Sequence, residues 1–199
     1  MKFDCTGVIL AGGKNSRLPG KKKTFRKIGS STILETIHGI FTRLFKEVII
    51  VVNDPQDFAG CDMTIVTDIF PSRCALAGLH AGLFYAGYPF AYVTACDAPF
   101  VNPKVIEFLV QQAGPGMDVV IPRTDKGTET LSAVYSRECI PLIERNLKKD
   151  IYMIKKFFRK SKVKEIPVDL LRQWDPDTRF IFNINTPADL KKAQEMAGK

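Results

Sequence analysis

The segment GVILAGGKNSRLPGKKK, residues 7–23, joins a short apolar run to a loop rich in glycine and basic residues. The run has the length of a buried β-strand, and the adjacent Gly12 and Gly13 allow a tight turn whose backbone N–H groups can approach a phosphate or a base edge. The dinucleotide-binding motif G-x-G-x-x-G fits no register of this segment. A P-loop that ends at Gly20-Lys21 would need Gly at position 15 and Ser or Thr at position 22, but the chain has Asn15 and Lys22. The segment predicts a strand followed by a phosphate-binding loop of another type, with a solvated basic loop as the alternative.

Strand patterns alternate with helix patterns along the rest of the chain. The run 48–52 is β-branched throughout, which is typical of a central parallel strand covered on both faces. We predict strands over 7–10, 48–52, 64–67, 91–95 and 118–122, and helices over 32–45, through 76–83, over 103–113 and over 186–196. In a chain of 199 residues, this alternation predicts an α/β fold: a Rossmann-like three-layer sandwich with a mostly parallel sheet and helices on both faces, as a single domain over 1–199.

Polar side chains follow three of these strands at their carboxyl ends. Asp68 comes directly after a predicted strand, Asp97 comes two residues after another, and Asn53 is a weaker candidate of the same kind. Ligands of open parallel sheets bind at this edge, where a carboxylate is well placed to hold Mg²⁺. A single Asp after a strand is usually a turn or helix cap, but two such acids opposite a cationic glycine loop favour a ligand site.

The net charge of +8 and the isoelectric point near 9.3 come from two segments. Residues 14–27 hold seven basic side chains and no acid, residues 145–164 hold nine and one acid, and the remainder has a net charge of −7. In the second segment, apolar residues between Ile151 and Phe158 recur at helical spacing and predict a helix packed on the body of the protein. Its Lys and Arg side chains form either a solvated face or a docking surface for an acidic ligand or a partner protein.

Cysteine spacing and the longest uncharged stretch indicate the compartment. None of the five cysteines has C-x-x-C spacing, so a structural zinc site is not expected. Their odd number, without a secretory leader, predicts reduced thiols in a cytoplasmic protein. The stretch from Cys74 to Cys96 contains no charged residue, but His80, Pro89 and three glycines interrupt it. We therefore expect a helix, a turn and a strand there rather than a membrane span.

Four motifs stand in an order that a known family shares. They are Leu-Ala-Gly-Gly-x-x-x-Arg-x-x-Gly-x-x-Lys at 10–23, Leu-Ala-Gly-Leu-x-Ala-Gly-Leu at 76–83, Cys-Asp-x-Pro at 96–99 and Phe-Asn-Ile-Asn-Thr-Pro-x-Asp-Leu at 182–190. The first and third alone would indicate only the nucleotidyltransferase superfamily. With the other two, the chain closely resembles the molybdenum cofactor guanylyltransferases over nearly its whole length. The resemblance implies an enzyme with one nucleotidyltransferase domain.

The resemblance also implies roles for individual residues. The GTP-binding residues that it implies are Leu10, Ala11, Gly12, Gly13, Lys23, Asp68 and Asp97. The implied catalytic residues are Lys23, Asp97 and Arg17, and Asp97 would bind Mg²⁺, the implied cofactor. Asn183 and Asn185 match the last motif and would face the pterin substrate. The resemblance leaves open whether Asp68 would contact metal, ribose or base.

The implied reaction transfers GMP from GTP to the terminal phosphate of molybdenum-molybdopterin, giving molybdopterin guanine dinucleotide and pyrophosphate. The attacking phosphate is already anionic, so the reaction needs charge neutralisation and positioning rather than a protein base. Implied partners are these two substrates and, transiently, cofactor-delivery or molybdoenzyme-maturation proteins. Neither nucleic acid nor a membrane is expected as a partner.

Two departures from the family pattern keep alternatives open. The family usually has Gly-Pro where this chain has Cys74-Ala75, and a proline commonly precedes the leucine of Glu129-Thr130-Leu131. Both positions are expected near the ligands, so a related nucleotidyltransferase that uses CTP or a sugar-phosphate acceptor is the first alternative. A basic nucleic-acid-binding module is the non-enzyme alternative. It rests on the isoelectric point alone and lacks aromatic residues interleaved with the basic ones.

Overall fold

Strands and helices alternate in the computed structural model, which describes residues 1–12, 25–58 and 62–198. The strands are β1 (Phe3–Leu10), β2 (Lys27–Ile28), β3 (Ser31–Thr32), β4 (Phe45–Val52), β5 (Thr64–Thr67), β6 (Phe90–Ala95), β7 (Val119–Thr124), β8 (Gly127–Thr128), β9 (Ser132–Ser136) and β10 (Val163–Pro167). The helices are α1 (Ile33–Leu44), α2 (Ala75–Tyr85), α3 (Pro103–Gln111), α4 (Ile140–Leu147), α5 (Val168–Leu171) and α6 (Pro187–Ala197).

Most of these strands form one sheet, in the order β10-β7-β9-β6-β1-β4-β5, with β8 paired to β7. Parallel pairing joins β1 to β4 and β6, β4 to β5, and β7 to β10. Strand β9 runs antiparallel to both β6 and β7. The mostly parallel sheet is thereby confirmed. The antiparallel strand begins at the edge where the parallel strands end, and we name that edge the carboxyl edge.

Helices cover both faces of the sheet. Helices α1 and α3 pack in one buried cluster with strand residues such as Ile9 and Ile50, whereas α2 and α4 pack on the other face with Val8 and Ile49. Consecutive side chains of a strand point to opposite faces, which explains why Val8 and Ile9 belong to different clusters. Among the described residues, no helix combines the length and the apolar character needed to cross a membrane. The three-layer α/β sandwich is confirmed.

Reciprocal capping fixes the start of two predicted helices. At α1, Thr32 Oγ1 accepts a hydrogen bond from Glu35 N at 3.2 Å, and Glu35 Oε2 accepts one from Thr32 N at 2.7 Å. Thr186 and Asp189 form the same arrangement at α6, with distances of 3.2 and 2.8 Å. These bonds satisfy N–H groups that a helix start otherwise leaves unpaired. Both predicted starts are therefore confirmed.

The helix expected within residues 145–164 is wrong for most of that segment. Helix α4 ends at Leu147, the backbone of Asp150 is left-handed with φ 54°, and two short 3₁₀ turns follow. The apolar spacing has another cause, since Ile154 and Phe157 are buried in the core without a continuous helix between them. An apolar period alone did not distinguish consecutive 3₁₀ turns from an α-helix.

Candidate active site at the carboxyl edge

The backbone that follows β1 is held between the two neighbouring strands. Ala11 N donates a hydrogen bond to Val51 O at 2.8 Å, and Cys96 N donates one to Leu10 O at 3.0 Å. Because β1 is a central strand of the sheet, these bonds fix the point at which the glycine loop leaves it. Ala11, the first residue after β1, is therefore fixed to the carboxyl edge of the sheet.

Gly12 lies directly against the side chain of Asn53, the residue that follows β4. A Cβ atom at position 12 would lie 2.7 Å from Asn53 Oδ1, so a side chain there would displace the amide. Gly12 is exposed and Asn53 is half-buried, which leaves both at the surface of the carboxyl edge. Asn53, the weaker of the polar candidates from the sequence, thus lies in the candidate site.

Asp68 lies beside Gly78 of α2. A Cβ atom at position 78 would lie 3.5 Å from Leu10 Cδ2 and 3.8 Å from Asp68 Oδ1, so helix, strand end and carboxylate meet at this point. Partial burial raises the pKa of the Asp68 carboxyl to about 6, and the positive charge of Arg73 opposes that rise. A carboxyl group with a raised pKa at a ligand-binding edge is typical of a functional site.

We expect Asp68→Asn to stabilise the ligand-free protein at pH 7.5 and to have no such effect at about pH 4. Because the pKa is about 6 in the folded protein against the ordinary 3.8, this carboxyl favours folding most below the lower value, and its contribution is lost as the pH rises through 6. Solvent screening of a half-buried group limits the gain to about 1 kcal/mol. Urea unfolding of both proteins at the two pH values measures it, and a gain independent of pH would contradict the assignment.

Asp97 stands at the boundary between two halves of the sheet. It follows β6, whose neighbours are β1 on one side and β9 on the other. The backbone carbonyl of Asp97 accepts a hydrogen bond from Ile184 N at 2.8 Å, and the side chain of Ile184 is fully buried. This bond fixes the segment that contains Asn183 and Asn185 next to Asp97.

A cleft of about 580 Å³ lies on the β7 side of the site. Asn183 and Phe182 line it together with residues of the β7–β8 turn and of α6. Asn185 has a different environment, since its backbone N–H donates to Asp189 Oδ2 at 3.0 Å in the cap of α6. The structure thus places one of the two predicted pterin-side asparagines in a cleft and the other at a helix start.

Basic side chains outnumber acidic ones in this cleft. Its charged lining residues are Lys126, Arg172, Arg179 and Lys192 against Asp125, Glu129 and Asp177. Arg179 Nη2 pairs with Asp177 Oδ2 at 3.3 Å, and Lys192 Nζ lies 5.6 Å from the ring centroid of Phe182. A cleft with cations, an aromatic ring and amide groups suits an anionic ligand that carries a planar ring. Sequence reasoning missed these cations, because they come from segments far apart in the chain.

The acidic residues of the site fit a metal ion that arrives with a ligand. Within residues 1–12, 25–58 and 62–198, no three His, Cys, Asp or Glu side chains cluster so as to hold a metal ion. Mg²⁺ commonly takes one or two protein carboxylates and completes its oxygen shell with substrate phosphates and water. A strand-end carboxylate such as that of Asp97 meets this requirement.

Three expected site residues, Gly13, Arg17 and Lys23, lie outside the described residues. Their roles stay predictions. The described chain stops at Gly12 and resumes at Phe25, whose ring centroid lies 5.2 Å from that of Phe58. Gly12 lies against Asn53. The two ends of the described chain, Gly12 and Phe25, therefore both lie next to residues that follow β4, namely Asn53 and Phe58.

Matches to known proteins extend over most of the chain. The model of the MobA-like NTP transferase domain matches residues 7–165. The molybdenum cofactor guanylyltransferase of Desulfosudis oleivorans is 39% identical over 189 residues, which cover 95% of this chain and 94% of that protein. A probable molybdenum cofactor guanylyltransferase of Pelotomaculum thermopropionicum is 33% identical over 195 residues, which cover 98% of this chain and 94% of that protein. The crystal structure of molybdopterin-guanine dinucleotide biosynthesis protein A from Archaeoglobus fulgidus has a TM-score of 0.85 at 29% identity, over 97% of this chain and 98% of that one. The chain therefore belongs to the MobA-like NTP transferase family and is a nucleotidyltransferase.

Proposed function

We propose that this enzyme transfers GMP from GTP to the terminal phosphate of molybdenum-molybdopterin, giving molybdopterin guanine dinucleotide and pyrophosphate. The names of its relatives support these substrates. The observation that carries the arrangement is the position of Asp97 after β6, between two halves of the sheet. The glycine loop, Asn53 and Asp68 follow β1, β4 and β5 on one side, and the cationic cleft adjoins β7 on the other. We assign GTP to the side of β6 that contains β1, β4 and β5, and we name this side the nucleotide half. We assign the pterin acceptor to the side that contains β9 and β7, and we name it the acceptor half.

The nucleotide half offers backbone groups and two polar side chains. Leu10 O and Ala11 N are already bonded within the sheet, so Leu10 acts by fixing the loop. We assign the backbone contacts with GTP to Ala11 O and Gly12 N. Asn53 and Asp68 lie beside them and are the proposed side-chain contacts with its base or ribose.

The chemical step requires charge neutralisation and alignment at the α-phosphorus. The acceptor phosphate is anionic at neutral pH, so no side chain has to remove a proton from it. In this proposal Asp97 holds Mg²⁺, which when bound neutralises charge on the GTP phosphates. Lys23 and Arg17 are the proposed cationic contacts with the same phosphates. Lys126 and Lys192 in the cleft attract the acceptor.

A pyrophosphate-release assay with each of the four NTPs, Mg²⁺ and molybdenum-molybdopterin tests the proposal. Release is expected only when GTP and the acceptor are both present. Faster release with CTP would contradict the substrate assignment and keep the reaction class. No release with any NTP, together with salt-sensitive DNA retention, would favour the nucleic-acid-binding alternative.

Gly12→Ala is expected to weaken GTP binding about tenfold without destabilising the protein. The new Cβ would lie 2.7 Å from Asn53 Oδ1 and would displace that amide from the nucleotide half. The matched control is Gly39→Ala in α1, where a Cβ has no neighbour within 4 Å. Calorimetric titration with GTP measures both. Equal affinity in the two variants would show that the Gly12–Asn53 contact has no part in nucleotide binding.

Compartment and partner proteins belong to the same proposal. Cys5, Cys74, Cys96 and Cys139, the cysteines among the described residues, form no disulfide, which supports the reducing cytoplasm as the location. Tyr152 and Met153 are exposed within the basic segment 145–164. Apolar side chains among lysines support transient contact with an acidic surface of a cofactor-delivery or molybdoenzyme-maturation protein.

A further inference from the structure

Glu129 reaches the carboxyl edge because β9 is antiparallel. It precedes β9, so the loop that contains it lies where the parallel strands end. Glu129 N donates to Pro122 O at 3.0 Å, and Ser132 N donates to Glu129 O at 3.2 Å, so both sides of the residue are tied to the sheet. Ser132 pairs with Thr94, shortly before Asp97. Glu129 is thus positioned by backbone bonds next to β6, the strand that Asp97 follows.

The Glu129 carboxyl lines the same cleft as Phe182 and Asn183. It is half-buried, and this burial raises its pKa, whereas the positive charge of Lys155, a hydrogen bond with the Thr124 side chain and the charge of Lys126 lower it. The other two carboxylates of the lining, Asp125 and Asp177, are exposed. Glu129 is therefore the carboxylate of the cleft that is held in place and partly withdrawn from water.

The proposed acceptor carries two groups that proteins recognise in different ways. Its terminal phosphate needs cations or N–H donors, which the lysines and Asn183 can supply. Its pterin ring has an amino-oxo edge on which a ring N–H and an exocyclic NH₂ point in nearly the same direction. The two oxygens of one carboxylate can accept hydrogen bonds from such a pair of donors. Lys and Arg side chains have no acceptor atom and cannot bind this edge of the ring.

We propose that Glu129 is a specificity-determining residue that accepts hydrogen bonds from the ring N–H and the exocyclic NH₂ of the acceptor's pterin. This inference rests on the proposed function. Guanine presents a similar edge, but Asp97 and β6 separate Glu129 from the strands that carry Gly12, Asn53 and Asp68. The Glu129 side chain accordingly belongs to the acceptor half rather than to the nucleotide half.

Glu129→Gln replaces one acceptor oxygen by a donor NH₂ and removes the charge. We expect the KM for molybdenum-molybdopterin to rise about ten- to a hundredfold, with kcat, GTP affinity and Mg²⁺ dependence close to those of the wild type. Retained GTP affinity also shows that the variant is folded. The matched control is Glu138→Gln, which makes the same change at an exposed carboxylate beyond the other end of β9, outside the cleft, and should leave the KM unchanged.

A second measurement reports on the ring alone. The probes are 6-hydroxymethylpterin and 6-hydroxymethyllumazine, in which an oxygen replaces the exocyclic amino group. Fluorescence titration of the wild type should show tighter binding of the pterin by about tenfold or more, and Glu129→Gln should lose most of that preference. The inference is overturned by equal binding of the two probes to the wild type, by an equal KM increase in Glu138→Gln, or by an effect of Glu129→Gln on Mg²⁺ dependence in place of the KM. Failure of the proposed function is a separate result, namely no GTP-dependent pyrophosphate release by the wild type.

Discussion

Asp97→Asn is expected to lower the rate of guanylyl transfer by about a hundred- to a thousandfold, as the loss of one preorganised electrostatic contact typically does. The amide keeps the size of the side chain but removes the negative charge that the proposal assigns to Mg²⁺ binding. The fold should be retained, since the hydrogen bond between Ile184 N and Asp97 O involves backbone atoms. Pyrophosphate release at saturating GTP and acceptor measures the rate, and circular dichroism checks the fold.

The matched control for this variant is Asp62→Asn. Asp62 is an exposed carboxylate before β5, at the edge of the sheet opposite Asp97. Asp62→Asn removes one negative charge, as Asp97→Asn does, and should leave turnover unchanged. Nucleotide affinity should also depend on Mg²⁺ in the wild type and in Asp62→Asn, and much less in Asp97→Asn. Wild-type turnover in Asp97→Asn would refute the role of this carboxylate.

The parallel part of the fold could be predicted because its signals are local. The uninterrupted β-branched residues of β4 and the capping residues of α1 and α6 determine those elements almost alone. Ile166 is the one buried residue of strand β10, so this strand lacks a strong apolar run. Its place beside β7 comes from pairing between segments distant in the chain. Long-range pairing of this kind leaves little trace in a local pattern.

The candidate site divides in the same way. Asp68 and Asp97 follow parallel strands, so the rule that ligands bind at strand carboxyl ends placed both at one edge. Glu129 comes before its strand, and that rule passes over it unless β9 is known to be antiparallel. In the sequence, Glu129-Thr130-Leu131 is distinctive only as a departure from the family pattern. Lys192 and Arg179 line the same cleft through tertiary packing, for which the sequence carries no local pattern.

Gly82→Ala is expected to destabilise the protein by about 1–2 kcal/mol. Gly82 lies in α2, and a Cβ there would be 2.5 Å from Val8 Cγ1. Val8 is fully buried in β1, so either its side chain leaves its rotamer or α2 moves away from the sheet. Overpacking of a core costs about 1–3 kcal/mol, and the higher helix propensity of Ala offsets at most about 1 kcal/mol of that.

Gly78→Ala is the matched control within the same Leu-Ala-Gly-Leu-x-Ala-Gly-Leu motif. A Cβ at position 78 would be 3.5 Å from the nearest atom, Leu10 Cδ2, which is an ordinary contact, so helix propensity should raise stability by up to about 1 kcal/mol. Urea unfolding should therefore give changes of opposite sign for the two variants. A gain in both would show that α2 is not seated against β1 at Gly82. With opposite signs, Gly82 sets the distance between helix and strand, whereas position 78 has room for a methyl group beside Leu10 and Asp68.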